Sequence, residues 1–168
     1  MGIGATDNTM ENEKTDRLYP GNLIRICLER WSNHEFSGKA YNNCIEGALE
    51  FSDYSDFLLK AENLFDSMAY PQAFEESRHF GDSGKNYPSF NWNGRPKGMA
   101  DREIAEKSGT AATFNLVVET RKKSDWQGIL QDADGHILAP FSSTIELENI
   151  LEKIRNTNEK NDKMETLL

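Results

Sequence analysis

The sequence predicts an α+β fold: tandem strand-strand-strand-helix units related by a pseudo-twofold duplication, forming an antiparallel sheet with helices packed on one face. Three observations predict it. The segment EFSGKAYNNCIEGALEFSDYSDF (35–57) is echoed without a gap by DWQGILQDADGHILAPFSSTIEL (125–147), and a constant offset of 90 sets Phe36 on Trp126, Gly38 on Gly128 and Phe51 on Phe141. Before each segment lies a run in which apolar residues alternate with polar ones, the mark of a half-buried strand. After each segment the apolar residues fall at helical spacing instead.

The elements follow in order. LIRICLERW (23–31) puts Ile24, Ile26 and Leu28 on one face, and FNLVVETR (114–121) does the same with Phe114, Leu116 and Val118. FSGKAYNN and WQGILQD give second strands, each with a glycine between an aromatic and an aliphatic residue, which suggests a close neighbour packed over it. Asp134-Gly135 supplies hairpin-turn chemistry. IEGALEF (45–51) and HILAPF (136–141) give third strands. Pro140 has no amide proton to give to a ladder, so the second of these belongs at an edge.

Each unit closes with a helix. Ser143 and Glu146 have capping-box spacing, with Asp53 and Asp56 in the equivalent places. Phe57, Ala61, Leu64 and Met68 match Leu147, Leu151 and Ile154 along the apolar stripe. A unit of about 45 residues is near the lower limit for folding alone, so the units must share one core or pair with counterparts in a homodimer. The expected organisation is one domain, 23–157, built of halves 23–68 and 111–157. Phe36, Phe51, Trp126 and Phe141 are expected in its core rather than in a site.

Between the halves, PQAFEESRHF (71–80) suggests a short helix with Pro71 at its first position. The rest of the joint, to residue 110, is rich in Gly, Pro, Asn and Ser and reads as part of a partly flexible segment 69–110. Residues 1–22 and 158–168 read as mobile tails.

Composition limits the function classes. The chain has 168 residues, 37% hydrophobic and 28% charged, with a net charge of −9 that is spread along its length. Such a charge disfavours a nucleic-acid coat or an anionic membrane, both of which reward clustered Lys and Arg. No apolar run is long enough to span a membrane, and the first residues lack the basic and apolar regions of a secretory signal. Met1-Gly2 with Thr6 matches only the loose myristoylation pattern. Cys27 and Cys44 are too few for a disulfide framework or a zinc site and read as buried thiols in a reducing compartment. A cytoplasmic location is the expectation.

The run Ala112-Thr113-Phe114, Arg121, Trp126-Gln127-Gly128, Phe141-Ser142 and Glu146-Leu147 resembles a family of small bacterial proteins found among clostridia and their relatives. Tyr70-Pro71-Gln72 followed by Arg78 and Phe80 adds to the resemblance. The likeness covers about residues 23–80 and 112–155 and implies no activity, cofactor or catalytic residue.

No catalytic constellation emerges from the residues themselves. Gly81-Asp82-Ser83-Gly84 lacks the partners of a serine triad. Gly84-Lys85 lacks the upstream glycine and the following hydroxyl of a phosphate loop. Asp132-Ala-Asp134-Gly135-His136 places its glycine at the wrong position for a calcium loop and reads as a hairpin turn. His34, His79 and His136 do not converge, and the carboxylates are scattered. No catalytic, cofactor or metal residue is therefore assigned.

What remains are surfaces. Tyr87, Phe90 and Trp92 lie near Arg95 and Lys97 in the joint and are candidate partner-binding residues. Arg121, Lys122 and Lys123 form the best basic cluster, a hairpin tip that offers the alternative of a nucleic-acid contact. The expected function is a non-enzymatic binding or regulatory protein. Its partner, another protein, would meet the exposed sheet face or the aromatic-basic joint. A small-ligand domain or enzyme stands third.

Overall fold

The alternating runs do become strands in this computed structural model, which describes residues 19–71, 73–74 and 98–167. In chain order the elements are β1 (Leu23–Trp31), β2 (Phe36–Tyr41), β3 (Leu49–Phe51), α1 (Tyr54–Met68), β4 (Ala73–Phe74), α2 (Asp101–Glu106), β5 (Ala112–Lys122), β6 (Gln127–Asp132), β7 (Ile137–Phe141) and α3 (Thr144–Thr166). The main sheet runs β3-β2-β1-β5-β6-β7, and all of its neighbours are antiparallel. Strand β7, which holds Pro140, lies at the edge, where a missing donor is tolerated.

Strand registers recur at the offset seen in the sequence. Leu28 pairs with Gly38 as Val118 pairs with Gly128, and both hairpins carry a register shift one residue further on. Gly38 pairs with Phe51 as Gly128 pairs with Phe141. At the centre, β1 and β5 meet within one chain and exchange corresponding residues, Ile24 with Leu116 and Ile26 with Phe114. Arg25 pairs with Asn115, and the Tyr54 hydroxyl donates to the Thr144 carbonyl at 2.6 Å; both contacts join residues 90 apart.

The core lies between the sheet and the two long helices. Ile24, Ile26, Leu28, Leu116 and Val118 face Phe57, Ala61, Phe65, Leu147 and Leu151, all buried. Phe36 is half-buried against this cluster, whereas Phe51, Trp126 and Phe141 are inside it. The Trp126 ring meets Phe65 and Phe57 edge-on at 5.4 and 6.4 Å, contacts worth about 1 kcal/mol each beyond area burial.

The second face of the sheet is covered as well. Alternation would expose Arg25, Cys27 and Asn115, yet all three are buried. Arg25 donates to the carbonyls of Ala105 and Lys107, which places α2 on the face opposite α1 and α3. Helices therefore lie on both faces, and the centre of the second face is not open to a partner. The end of the joint, expected to be irregular, is fixed by long-range bonds: Gly98 N–H to Asn43 O, Met99 N–H to Ile45 O and Ala111 N–H to Leu28 O. The first two of these bonds explain another difference. Residues 43–45 pair with 98–99, so β3 shrinks from the expected 45–51 to Leu49–Phe51.

Two further expectations change. Ala73 and Phe74 form β4, parallel to Arg121 and Lys122 of β5, where a helix was expected; residues 75–80 lie outside the described residues. Helix α3 runs on to Thr166, so most of the expected C-terminal tail is a solvent-exposed helix. Residues 1–18, the bulk of the expected N-terminal tail, also lie outside the described residues.

Capping follows the spacing with one variation. The Ser143 hydroxyl accepts from Glu146 N–H, and Asp53 accepts from Asp56 N–H. Each returning carboxylate reaches past the cap itself: Glu146 accepts from Ser142, and Asp56 from Ser52. Bonds from the Ser142 hydroxyl and amide hold the Glu146 carboxyl below its usual range. A depressed folded-state pKa contributes stability above the unfolded-state value, and that contribution is lost as pH falls through the folded-state value. Glu146→Gln is expected to melt below the wild type at pH 7, and the gap should close below the ordinary glutamate pKa of about 4. Melting curves across pH check this; a gap that persists undiminished in acid would contradict it.

Candidate functional site

The two hairpins that join first and second strands each turn over a long helix, and the two junctions differ. At the β5–β6 hairpin, Arg121, next to last in β5, folds back over α1. Its guanidinium donates to Glu62 at 2.8 Å, to Asp66 at 2.7 Å and to the Pro71 carbonyl at 2.6 Å. The same guanidinium lies 5.7 Å from the Phe65 ring centre, within cation–π range. Trp126 Nε1–H donates to the other Glu62 oxygen. This junction is closed: carboxylate, indole, guanidinium and ring satisfy one another.

At the β1–β2 hairpin the corresponding positions hold other residues. Trp31 stands where the second half has Arg121, Phe36 where it has Trp126, Glu152 where α1 has Glu62, and Arg155 where α1 has Phe65. No indole N–H or strand guanidinium reaches Glu152 here. A cavity of about 180 Å³ opens instead between the hairpin and α3. Trp31, Phe36 and Tyr54 line it with rings. Glu35, Asp53, Glu148 and Glu152 line it with carboxylates, against a single guanidinium, Arg155.

These polar groups are not equally available. Asp53 caps α1, and Glu35 faces Arg30 at 3.7 Å on the surface. Arg155 is buried and committed, donating to Asn33 and, at 2.9 Å, to Glu159. The Tyr54 hydroxyl donates a hydrogen bond to the Thr144 carbonyl, and burial, then the charges of Glu148 and Asp125, push its pKa up, so it presents a neutral ring. Among the described residues, Glu148 and Glu152 make no hydrogen bond or ion pair. They sit one turn apart on α3, a like-charge spacing that disfavours the helix slightly.

The basic cluster is divided by the fold. Arg121 was expected at a solvated hairpin tip, but its side chain is only 3% exposed and is committed to Glu62 and Asp66. Lys122 and Lys123 alone of the cluster face solvent. Tyr87, Phe90, Trp92, Arg95 and Lys97 lie outside the described residues. The cavity was missed because its Glu152 and Trp31 look like an ordinary helix surface and strand end. The signal was present in the comparison of halves: Trp31 stands against Arg121, and Phe65 against Arg155.

Two other clusters have structural duties. Asp132, Asp134 and His136 bring ligand atoms within 4.8 Å of one another. Asp132 is already occupied, however, accepting from the amides of Asp134 and His136 at 2.9 Å each, and Gly135 at φ 89° completes the hairpin turn expected there. Cys27 and Cys44 are both buried, as expected. Burial pushes the Cys27 thiol up to about 11, partly opposed by Arg25, which leaves it protonated and a poor nucleophile. None of the described helices is long and apolar enough to cross a membrane.

No protein-family model matches the chain, and no curated protein or solved structure matches it either. The resemblance to small clostridial-type proteins rests on the residues quoted for it above.

Proposed function

We propose that this chain is a non-enzymatic cytoplasmic binding or regulatory protein that acts by contact with another protein, using the groove between the β1–β2 hairpin and α3. We infer also that its scaffold is two equivalent units. The shared strand registers and the paired caps support that reading. The observation that carries the functional reading is the contrast between the junctions: one is filled by the chain's own Arg121, and the other is left as a cavity lined by rings and unpaired carboxylates.

Size separates a protein partner from a small-molecule one. Pockets for drug-sized ligands and cofactors run from about 300 to 1,000 Å³, and this cavity falls below that range. It suits one side chain projecting from a larger surface. The rival nucleic-acid reading is weakened because Arg121, the anchor of its cluster, is consumed by internal ion pairs.

Charge reversal tests the reading. Glu148→Lys combined with Glu152→Lys is expected to reduce co-purification of the partner at least about tenfold, the effect of losing roughly 1.4 kcal/mol of contact. Glu103→Lys, on exposed α2 surface, should leave it unchanged. A folded double variant, shown by an unaltered circular dichroism spectrum, that still retains the same partner in full would overturn the assignment.

A further inference from the structure

We propose that the groove takes the guanidinium of an arginine side chain on the partner's surface. This rests on the binding reading above and names the chemistry of its occupant. The closed junction shows how the fold holds such a group. There, a guanidinium lies over a ring at 5.7 Å and donates to carboxylates on two successive turns of a long helix, at 2.8 and 2.7 Å. The open junction keeps one of these carboxylates, Glu152 in the place of Glu62, while Asn156 stands in the place of Asp66; Glu148, one turn earlier on α3, lines the same groove with the Trp31 and Phe36 rings. The strand guanidinium is replaced by the Trp31 ring and the Phe65 ring by Arg155, which is too committed to Asn33 and Glu159 to stand in for the missing guanidinium.

Arginine fits better than lysine for geometric reasons. A planar fork can bond a carboxylate through two N–H groups while stacking its face on an aromatic ring, and it sheds water more readily than an ammonium does. Trp is the strongest cation–π partner among the aromatic residues. The cavity is large enough for the end of such a side chain and too small for a nucleotide. Binding would also relieve the like-charge spacing on α3.

The test uses the full chain with three blocked tripeptides, Gly-Xaa-Gly, in which Xaa is arginine, lysine or citrulline, the last being an uncharged isostere of arginine. Binding is followed by the Trp31 indole resonance in nitrogen-15 spectra. The arginine peptide is expected to shift that resonance saturably, lysine more weakly, and citrulline at least about tenfold more weakly still. Glu148→Gln with Glu152→Gln should lower the arginine affinity at least tenfold while preserving the fold, since both side chains are exposed. Equal shifts from arginine and citrulline, or none from arginine at its solubility limit, would overturn the proposal. If charge reversal abolishes partner capture while the arginine peptide fails to bind, the guanidinium falls and the protein-binding reading stands. If both results are negative, both fall.

Discussion

Gly38→Ala and Gly128→Ala are each expected to lose about 3 kcal/mol of stability, the upper end of the usual cost of overpacking. A β-carbon on Gly38 would stand 2.0 Å from the Cys27 carbonyl oxygen and 3.0 Å from Leu28 Cα. On Gly128 it would stand 1.9 Å from the Val117 carbonyl oxygen and 3.1 Å from the end of the Phe141 ring. The nearest obstacles are backbone carbonyl oxygens, and the backbone has little room to give. β1 is bonded to β2 on one side and β5 on the other, and β5 to β1 and β6. Gly47 provides the control, because a β-carbon there meets nothing within 4 Å, so Gly47→Ala should change stability by less than about 1 kcal/mol. Urea unfolding of the three variants measures the differences. Near-native stability in either tight variant would mean that the close strand approach is not real. Unequal losses would mean that the two halves tolerate strain differently.

That pair of glycines marks how far the sequence could be followed. The Phe-Xaa-Gly and Trp-Xaa-Gly echo, the alternating strands and the two capped helices all arise from local patterns, and local patterns survive in a single sequence. The contents of the two junctions do not. Arg121 looks like part of a solvated basic tip because its neighbours Lys122 and Lys123 are one. Its fate is decided by Glu62 and Asp66, carboxylates 59 and 55 residues away on α1. Substitution of Trp31 for Arg121 at the corresponding strand end opens a groove, but only if α3 lies over the hairpin, which no local spacing reveals. The same reasoning covers residues 98–110. The joint they end is rich in Gly, Pro and Asn, which suits a loop, and what orders this described part is a set of bonds to Asn43, Ile45 and Arg25.

Arg25 contributes to that ordering through two carbonyls, and Arg25→Leu is expected to cost about 3 kcal/mol, in the range for hydrogen bonds to a charged group lost with their acceptors left buried. Period-two alternation directs Arg25 away from the core face, where it should meet water. Instead it is buried with four neutral acceptors: the carbonyls of Lys107, Ala133 and Ala105 at 2.8, 2.9 and 3.2 Å, and the Asn115 side-chain oxygen at 3.2 Å. Two of those carbonyls belong to the C-terminal end of α2, where unpaired acceptors and the partial negative charge of a helix end both favour a cation. Leucine would fill much of the space and satisfy none of the acceptors. The loss should be local before it is global: amides in 101–107 exchange faster, whereas β6 and β7 retain protection until the sheet itself opens. Cys27 shares this face of β1 and is 2% exposed, so its thiol should react with a disulfide reagent faster once α2 lifts. Arg25→Lys, which keeps the charge but not the fork, should fall between wild type and leucine. Unchanged exchange at Ile104 together with an unchanged Cys27 reaction rate would show that α2 is held by something other than this guanidinium.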